Sequence, residues 1–153
     1  MGTSISPLEI LVVDDSHSQA EAWAKVIRNT FKANVKVAVE LSGKDALRNF
    51  SNKIVRDGLP YHLVITDYNM EQIGDMNGLE LCCSIKKINK ISDFNPRVVL
   101  LSGYTDEVYN QLEKIPKGSQ PDEVMEKPVD WEGLLFPYID ELQSQRISGE
   151  MDY

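Results

Sequence analysis

The sequence has only two cysteines, Cys82 and Cys83, and they are adjacent. Neighbouring cysteines rarely bridge each other and no third is present, so a disulfide-stapled scaffold is excluded and a reducing, cytoplasmic compartment is expected. Both read as small apolar core residues. Long hydrophobic runs are also missing. The longest are residues 10–13 and 98–101, far short of the roughly 20 residues that cross a bilayer. No basic stretch followed by an apolar one opens the chain, so neither a secretory leader nor membrane insertion is expected. Basic charge is scarce, with 16 Lys and Arg against 24 Asp and Glu and a net charge of −8. Without a basic face, no direct nucleic-acid binding is expected. The acid excess suits a divalent cation or a basic partner surface, or simply solubility. Residues 1–6 match a short N-myristoylation pattern, but no polybasic patch or second anchor follows. Residues 1–7 are read as a flexible lead.

The 153 residues, 42% hydrophobic and 26% charged, suit one globular domain with a real core. Residues 9–13 form a continuous apolar run of strand length that stops at Asp14, Asp15 and Ser16. Such runs suit strands buried on both faces. Trp23, Val26, Ile27 and Phe31 then follow a helical stripe, with Ser16 or Ser18 as its cap. Residues 35–39 read as a second strand. Ser42 caps a helix whose stripe is Ala46, Leu47, Phe50 and Ile54. Residues 61–66 are a third strand closing at Asp67, followed by a loop and a helix over 78–90. A fourth strand, 97–101, ends at Ser102 and Gly103. A helix over 106–114, a short strand over 123–126 ending at Lys127 and Pro128, and a last helix from Asp130 to about Arg146 complete the pattern. Pro137 falls inside that last helix and is expected to kink it. Residues 147–153 read as a frayed, flexible tail. Five β-α repeats imply an α/β fold with a parallel five-stranded sheet and helices on both faces.

The chemistry gathers at the strand ends: Asp14 and Asp15, Asp67, Ser102, and Lys127. In an open parallel sheet the carboxyl ends of the strands line a crevice, so these residues are expected to meet in one pocket. Clustered carboxylates repel one another unless a hard cation such as Mg²⁺ joins them. Lys127 offers a compact charge for a phosphate oxygen and Ser102 a hydrogen bond. A carboxylate is a competent nucleophile toward phosphorus. Each residue alone has a plainer reading as a helix cap, turn residue or solvated side chain; their joint placement argues against it. His17 reads as an exposed first-turn residue and His62 as structural.

The segments Leu11-Val12-Val13-Asp14-Asp15-Ser16, Leu63-Val64-Ile65-Thr66-Asp67-Tyr68-Asn69-Met70, Val98-Val99-Leu100-Leu101-Ser102-Gly103 and Glu126-Lys127-Pro128 together resemble the motifs of response-regulator receiver domains of two-component systems. The resemblance covers residues 8–146. It implies a doubly wound (βα)5 sheet of order 2-1-3-4-5, flavodoxin-like and CheY-like. It further implies Asp67 as phosphoacceptor and Mg²⁺ held by Asp15, Asp67 and the backbone carbonyl of Asn69, with Asp14 acting through a water. By the same resemblance Ser102 is the switch hydroxyl, Gly103 leaves room beside it, Lys127 pairs with the phosphoryl oxygens, and the bond to Pro128 is cis. A sensor histidine kinase or histidine phosphotransfer protein is the implied donor. A stand-alone receiver signalling through phosphorylation-dependent docking on its fourth helix, fifth strand and fifth helix is expected, and a homodimer is compatible with it. The protein is thus expected to be a phosphoacceptor rather than an enzyme, supporting only its own phosphotransfer and autodephosphorylation.

Two features depart from the pattern. The loop from Asp67 to Gly78 is long and carries Glu71 and Asp75, both expected near the acceptor. Val124 stands where the family usually has an aromatic. Tyr104 is the substitute candidate for that signalling role. The main rival is a degenerate receiver acting as a phosphorylation-independent interaction module. An aspartyl phosphatase would need an acid at Asn69, and a nucleotide or flavin binder would need a phosphate loop where Asp14 and Asp15 stand.

Overall fold

The computed structural model describes residues 6–70, 74–92, 94–151 and 153. Its first strand, β1 (Leu8–Val13), is apolar at nearly every position, so no face of it suits water and it takes the centre of a sheet. Alternation then splits its side chains between two layers. Ile10 and Val12 join one core cluster, Leu11 and Val13 the other. β2 (Val35–Glu40), β3 (Leu63–Asp67), β4 (Arg97–Ser102) and β5 (Glu123–Glu126) complete a parallel sheet of order β2-β1-β3-β4-β5, as expected. The first reversal of strand order lies between β1 and β3.

The helices cover both faces. α1 (His17–Phe31) and α5 (Phe136–Ser148) press Ala20, Trp23, Ala24, Ile27, Ile139 and Leu142 onto one face. α2 (Gly43–Asp57) and α3 (Gly78–Ser92) press Ala46, Phe50, Leu81, Cys82 and Ile85 onto the other. α4 (Thr105–Leu112) seals the β4–β5 end through Val108, against Tyr68, Leu79 and Leu100. Ser16 is the cap of α1, its hydroxyl accepting from the Gln19 amide at 3.4 Å. Ser42 caps α2 by accepting from the Asp45 amide at 3.0 Å. Cys82 is buried as expected, and burial pushes its thiol up to about 12.

Three local expectations are corrected. Pro137 kinks no continuous helix. Residues Trp131–Leu135 form a wider π turn, opened by Asp130 accepting from the Gly133 amide at 2.9 Å. α5 begins only at Phe136, directly after the π turn, which puts Pro137 in its first turn, where proline is tolerated better than in a helix interior. The tail is not frayed at its described residues. Gly149 adopts a left-handed C-cap at φ 80°, and Met151 is buried against the α1–α5 side of the core. Tyr153 donates from its hydroxyl to the Tyr61 carbonyl at 2.9 Å and stacks on His62 at 4.6 Å. Finally, Asp75 does not face the acceptor: its carboxylate accepts from the Gly43 and Lys44 amides at 2.9 and 3.0 Å. It is spent on the unpaired donors at the start of α2. Glu71 lies outside the described residues.

Candidate phosphoacceptor site

The carboxyl edge of the sheet collects its acids for local reasons. Asp14 follows β1 and turns the chain into α1: its Oδ1 accepts from the Ser16 amide at 2.9 Å, while its own amide donates to the Glu40 carbonyl at 3.2 Å. This pins Asp14 almost wholly out of solvent, and its Oδ2 has no hydrogen-bond partner. Asp67 is the last residue of β3 and is also buried. Asp15 is half-buried beside them. The three carboxylates each offer an oxygen within 4.8 Å of the others.

Lys127 enters from the far side of the sheet. Its amide donates to the Ser102 carbonyl at 2.9 Å, holding the start of the cis Lys127–Pro128 link beside β4. Its ammonium meets Asp67 Oδ1 at 2.5 Å. Ser102 ends β4 one residue beyond Leu101, the register partner of Asp67. It is buried, and its hydroxyl accepts from the Tyr104 amide at 2.9 Å. Apart from its two chain neighbours, nothing approaches within 4 Å of the place a Cβ would take on Gly103. Asn69 is exposed, and its backbone amide supports the charged form of Asp67. On the α3 side the approach is tight. A Cβ on Gly78 would collide with the Asp67 carbonyl, so only glycine lets α3 begin directly behind Asp67.

The electrostatics follow from this crowding. Burial, reinforced by the Asp67 charge, pushes Asp14 up to about 6 despite the Ser16 amide and Lys127. Burial also raises Asp67, against the opposing pull of Lys127. Three acids this close together, with one buried oxygen of Asp14 unpartnered among the described residues, repel one another. An all-oxygen donor set of this kind fits a hard divalent cation. Asp14, Asp15 and Asp67 are the residues able to hold one.

The sequence profile of the response regulator receiver domain matches residues 10–135. The chain belongs to that family. Solved receiver structures share its fold. A signal receiver domain of an HD domain-containing protein from Pseudomonas fluorescens Pf-5 is 19% identical, with TM-score 0.70 over 98% of this chain and 97% of that one. The receiver domain of the histidine kinase CKI1 from Arabidopsis thaliana, complexed with Mg²⁺ and BeF₃⁻, is 22% identical, with TM-score 0.70 over 89% of each chain. The receiver domain of Ssk1 from Saccharomyces cerevisiae, crystallised with the histidine phosphotransfer protein Ypd1, is 16% identical, with TM-score 0.66 over 94% of each. No curated protein sequence matches the chain. The receiver is thus a signalling module of two-component phosphorelays rather than an enzyme in the ordinary sense.

Within the receiver, Asp14, Asp15, Asp67 and Lys127 do come together, and Ser102 adjoins them by strand register. Tyr104 lies outside the nest with its side chain largely in solvent. Beside Val124 the cluster at the β4–β5 end is filled by Tyr68, whose hydroxyl reaches Glu107 of α4 at 3.4 Å. One neighbour of the site escaped sequence reasoning. Trp23, legible only as part of an apolar stripe, sets its ring 5.3 Å from the Lys127 ammonium. Nothing in the helical spacing of Trp23 distinguishes it from an ordinary core residue. No described helix is long and apolar enough to cross a membrane.

Proposed function

We propose that the receiver accepts a phosphoryl group on Asp67, with Mg²⁺ held by Asp15, Asp67 and the backbone carbonyl of Asn69 and with Asp14 acting through a water. The observation that carries this reading is one carboxylate, Asp67, meeting the Lys127 ammonium at 2.5 Å within a nest of three acids. An Asp67 carboxylate oxygen attacks phosphorus. The bond from phosphorus to the donor's imidazole nitrogen breaks, and an acyl phosphate forms on Asp67. Lys127 holds phosphoryl oxygens and offsets their charge. Ser102, whose Oγ accepts from the Tyr104 amide, still has its O–H to donate to another phosphoryl oxygen. Gly103 leaves that approach clear. The cation supplies charge neutralisation among the carboxylates and phosphoryl oxygens when bound.

The donor is a histidine kinase or histidine phosphotransfer protein. The likeness to a receiver crystallised with a phosphotransfer protein supports this. Phosphorylation shifts a two-state equilibrium, and output leaves by the face of α4, β5 and α5. The exposed Tyr104 and Tyr109 on the α4 side support that surface.

Intact mass after acetyl phosphate treatment tests the reading. Wild type gains one phosphoryl mass in Mg²⁺ and none in EDTA, and Asp67→Asn gains none. Equal mass gain by Asp67→Asn refutes the assignment. No gain by wild type favours a phosphorylation-independent interaction module instead.

A further inference from the structure

Lys127 is a long side chain with one ion-pair partner among the described residues. The distance from its ammonium to Asp67 Oδ1 is 2.5 Å, yet a single point contact leaves the chain's rotors weakly fixed. On the α1 side a different group faces the same ammonium. The Trp23 ring centre lies 5.3 Å away, within the range in which an aromatic face attracts a cation. Trp23 is itself only 6% exposed and packs with Ala20, Ala24 and Ile27 in the core. The indole is therefore a fixed wall, not a mobile surface ring. Gln19, Trp23, Lys127, Pro128, Val129 and Trp131 line an open cavity of about 540 Å³ along this wall.

The choice of an aromatic has a physical consequence. A second carboxylate at this place would orient Lys127 but also cancel its charge. An indole face holds an ammonium without net charge and without taking up all its donors. The lysine stays aimed at the Asp67 oxygens while its charge remains available to an incoming anion.

We infer that Trp23 is a positioning residue of this receiver, holding the Lys127 ammonium over its indole face so that it meets a phosphoryl group on Asp67. The inference rests on Asp67 being the phosphoacceptor. Two measurements test it. In metal-free protein, the ε-methylene protons of Lys127, adjacent to the ammonium that faces the ring, resonate upfield of those of the other lysines, and Trp23→Leu returns them to the common position. In Mg²⁺, affinity for beryllofluoride falls roughly fivefold in Trp23→Leu and is largely retained in Trp23→Phe. Because Trp23→Leu also opens space in the core, the same affinity is measured in Trp131→Phe protein carrying tryptophan with increasing ring fluorination. Trp23 is then the sole labelled site, and its size is nearly constant. A stepwise loss of affinity with fluorination is expected. An affinity independent of fluorination, or a Lys127 resonance unmoved by Trp23→Leu, overturns the role of Trp23 while leaving the phosphoacceptor reading intact. Failure of wild type to bind beryllofluoride in an Asp67-dependent way overturns both.

Discussion

His62 shows what a single buried side chain contributes. It is 4% exposed, and its Nδ1 accepts from the Glu9 amide at 2.8 Å. Burial first, then the positive charges of Arg146 and Lys53, push its pKa down to about 3. The unfolded chain takes up this proton near 6.5, whereas the folded one refuses it until about 3. The unfolded state thus binds more protons in that window. Stability from His62 is complete above pH 6.5 and drains as pH falls, by at most about 1.4 kcal/mol per unit. His62→Gln is expected to remove this one-proton dependence. Urea unfolding at pH 7 and pH 5 measures it; a slope unchanged in the variant counts against a neutral, buried His62. The same logic of burial explains why Asp14 and Asp67 are raised, but there the uncompensated charge sits where a ligand can offset it.

Among the elements, the long β3–α3 connection behaves differently from its composition. Asp75 reads as a further acid for the site, yet it binds the amides opening α2. Its burial raises its pKa, but the Gly43, Lys44 and Met76 amides outweigh that and hold it below the usual range. Met76 packs so close to Gly43 that a Cβ there would collide with it, so Asp75 and Met76 are tied to the start of α2. Asp75→Ala is expected to destabilise the protein by about 1 kcal/mol, as for loss of a helix cap. Its Mg²⁺ requirement for phosphorylation should not change. A shifted Mg²⁺ dependence with unaltered urea midpoint would restore the reading of Asp75 as a site residue. The Trp131–Leu135 turn makes a parallel point. Proline position is visible in sequence, but whether it interrupts a helix or begins one depends on where the preceding turn ends.

For the whole molecule, the sheet converts four separate strand ends into one nest, and the C-terminal residues close the opposite end. Met151 fills space against the main core and Tyr153 lies on His62. Arg146 reaches across the same region, donating to the Tyr153 carbonyl at 3.2 Å and to Ser6 Oγ at 3.1 Å. Met151→Ala is expected to lower stability by about 2 kcal/mol, the low end for a buried methionine. A change below about 0.5 kcal/mol in the urea midpoint would show that this segment is merely laid on the surface. Phosphorylation of Asp67 should survive the change, since the two ends of the sheet are separated by its full strand length.

Most of the fold was readable in one dimension. Unbroken apolar runs at β1, β3 and β4 demand burial on both faces, and that demand forces a parallel sheet with helices on each side. Once the sheet is parallel, Asp14, Asp67, Ser102 and Lys127 must share an edge, because strand ends are positions along the sequence. The sheet and the acids on its rim are therefore written in the order of residues along the chain. Tertiary packing alone decided that Trp23 faces Lys127, that Asp75 turns to α2, and that Met151 and Tyr153 are covered. These contacts join residues with no shared periodicity, so no local pattern encodes them. They arise only when helices and loops settle against a sheet whose twist and layer spacing are already set.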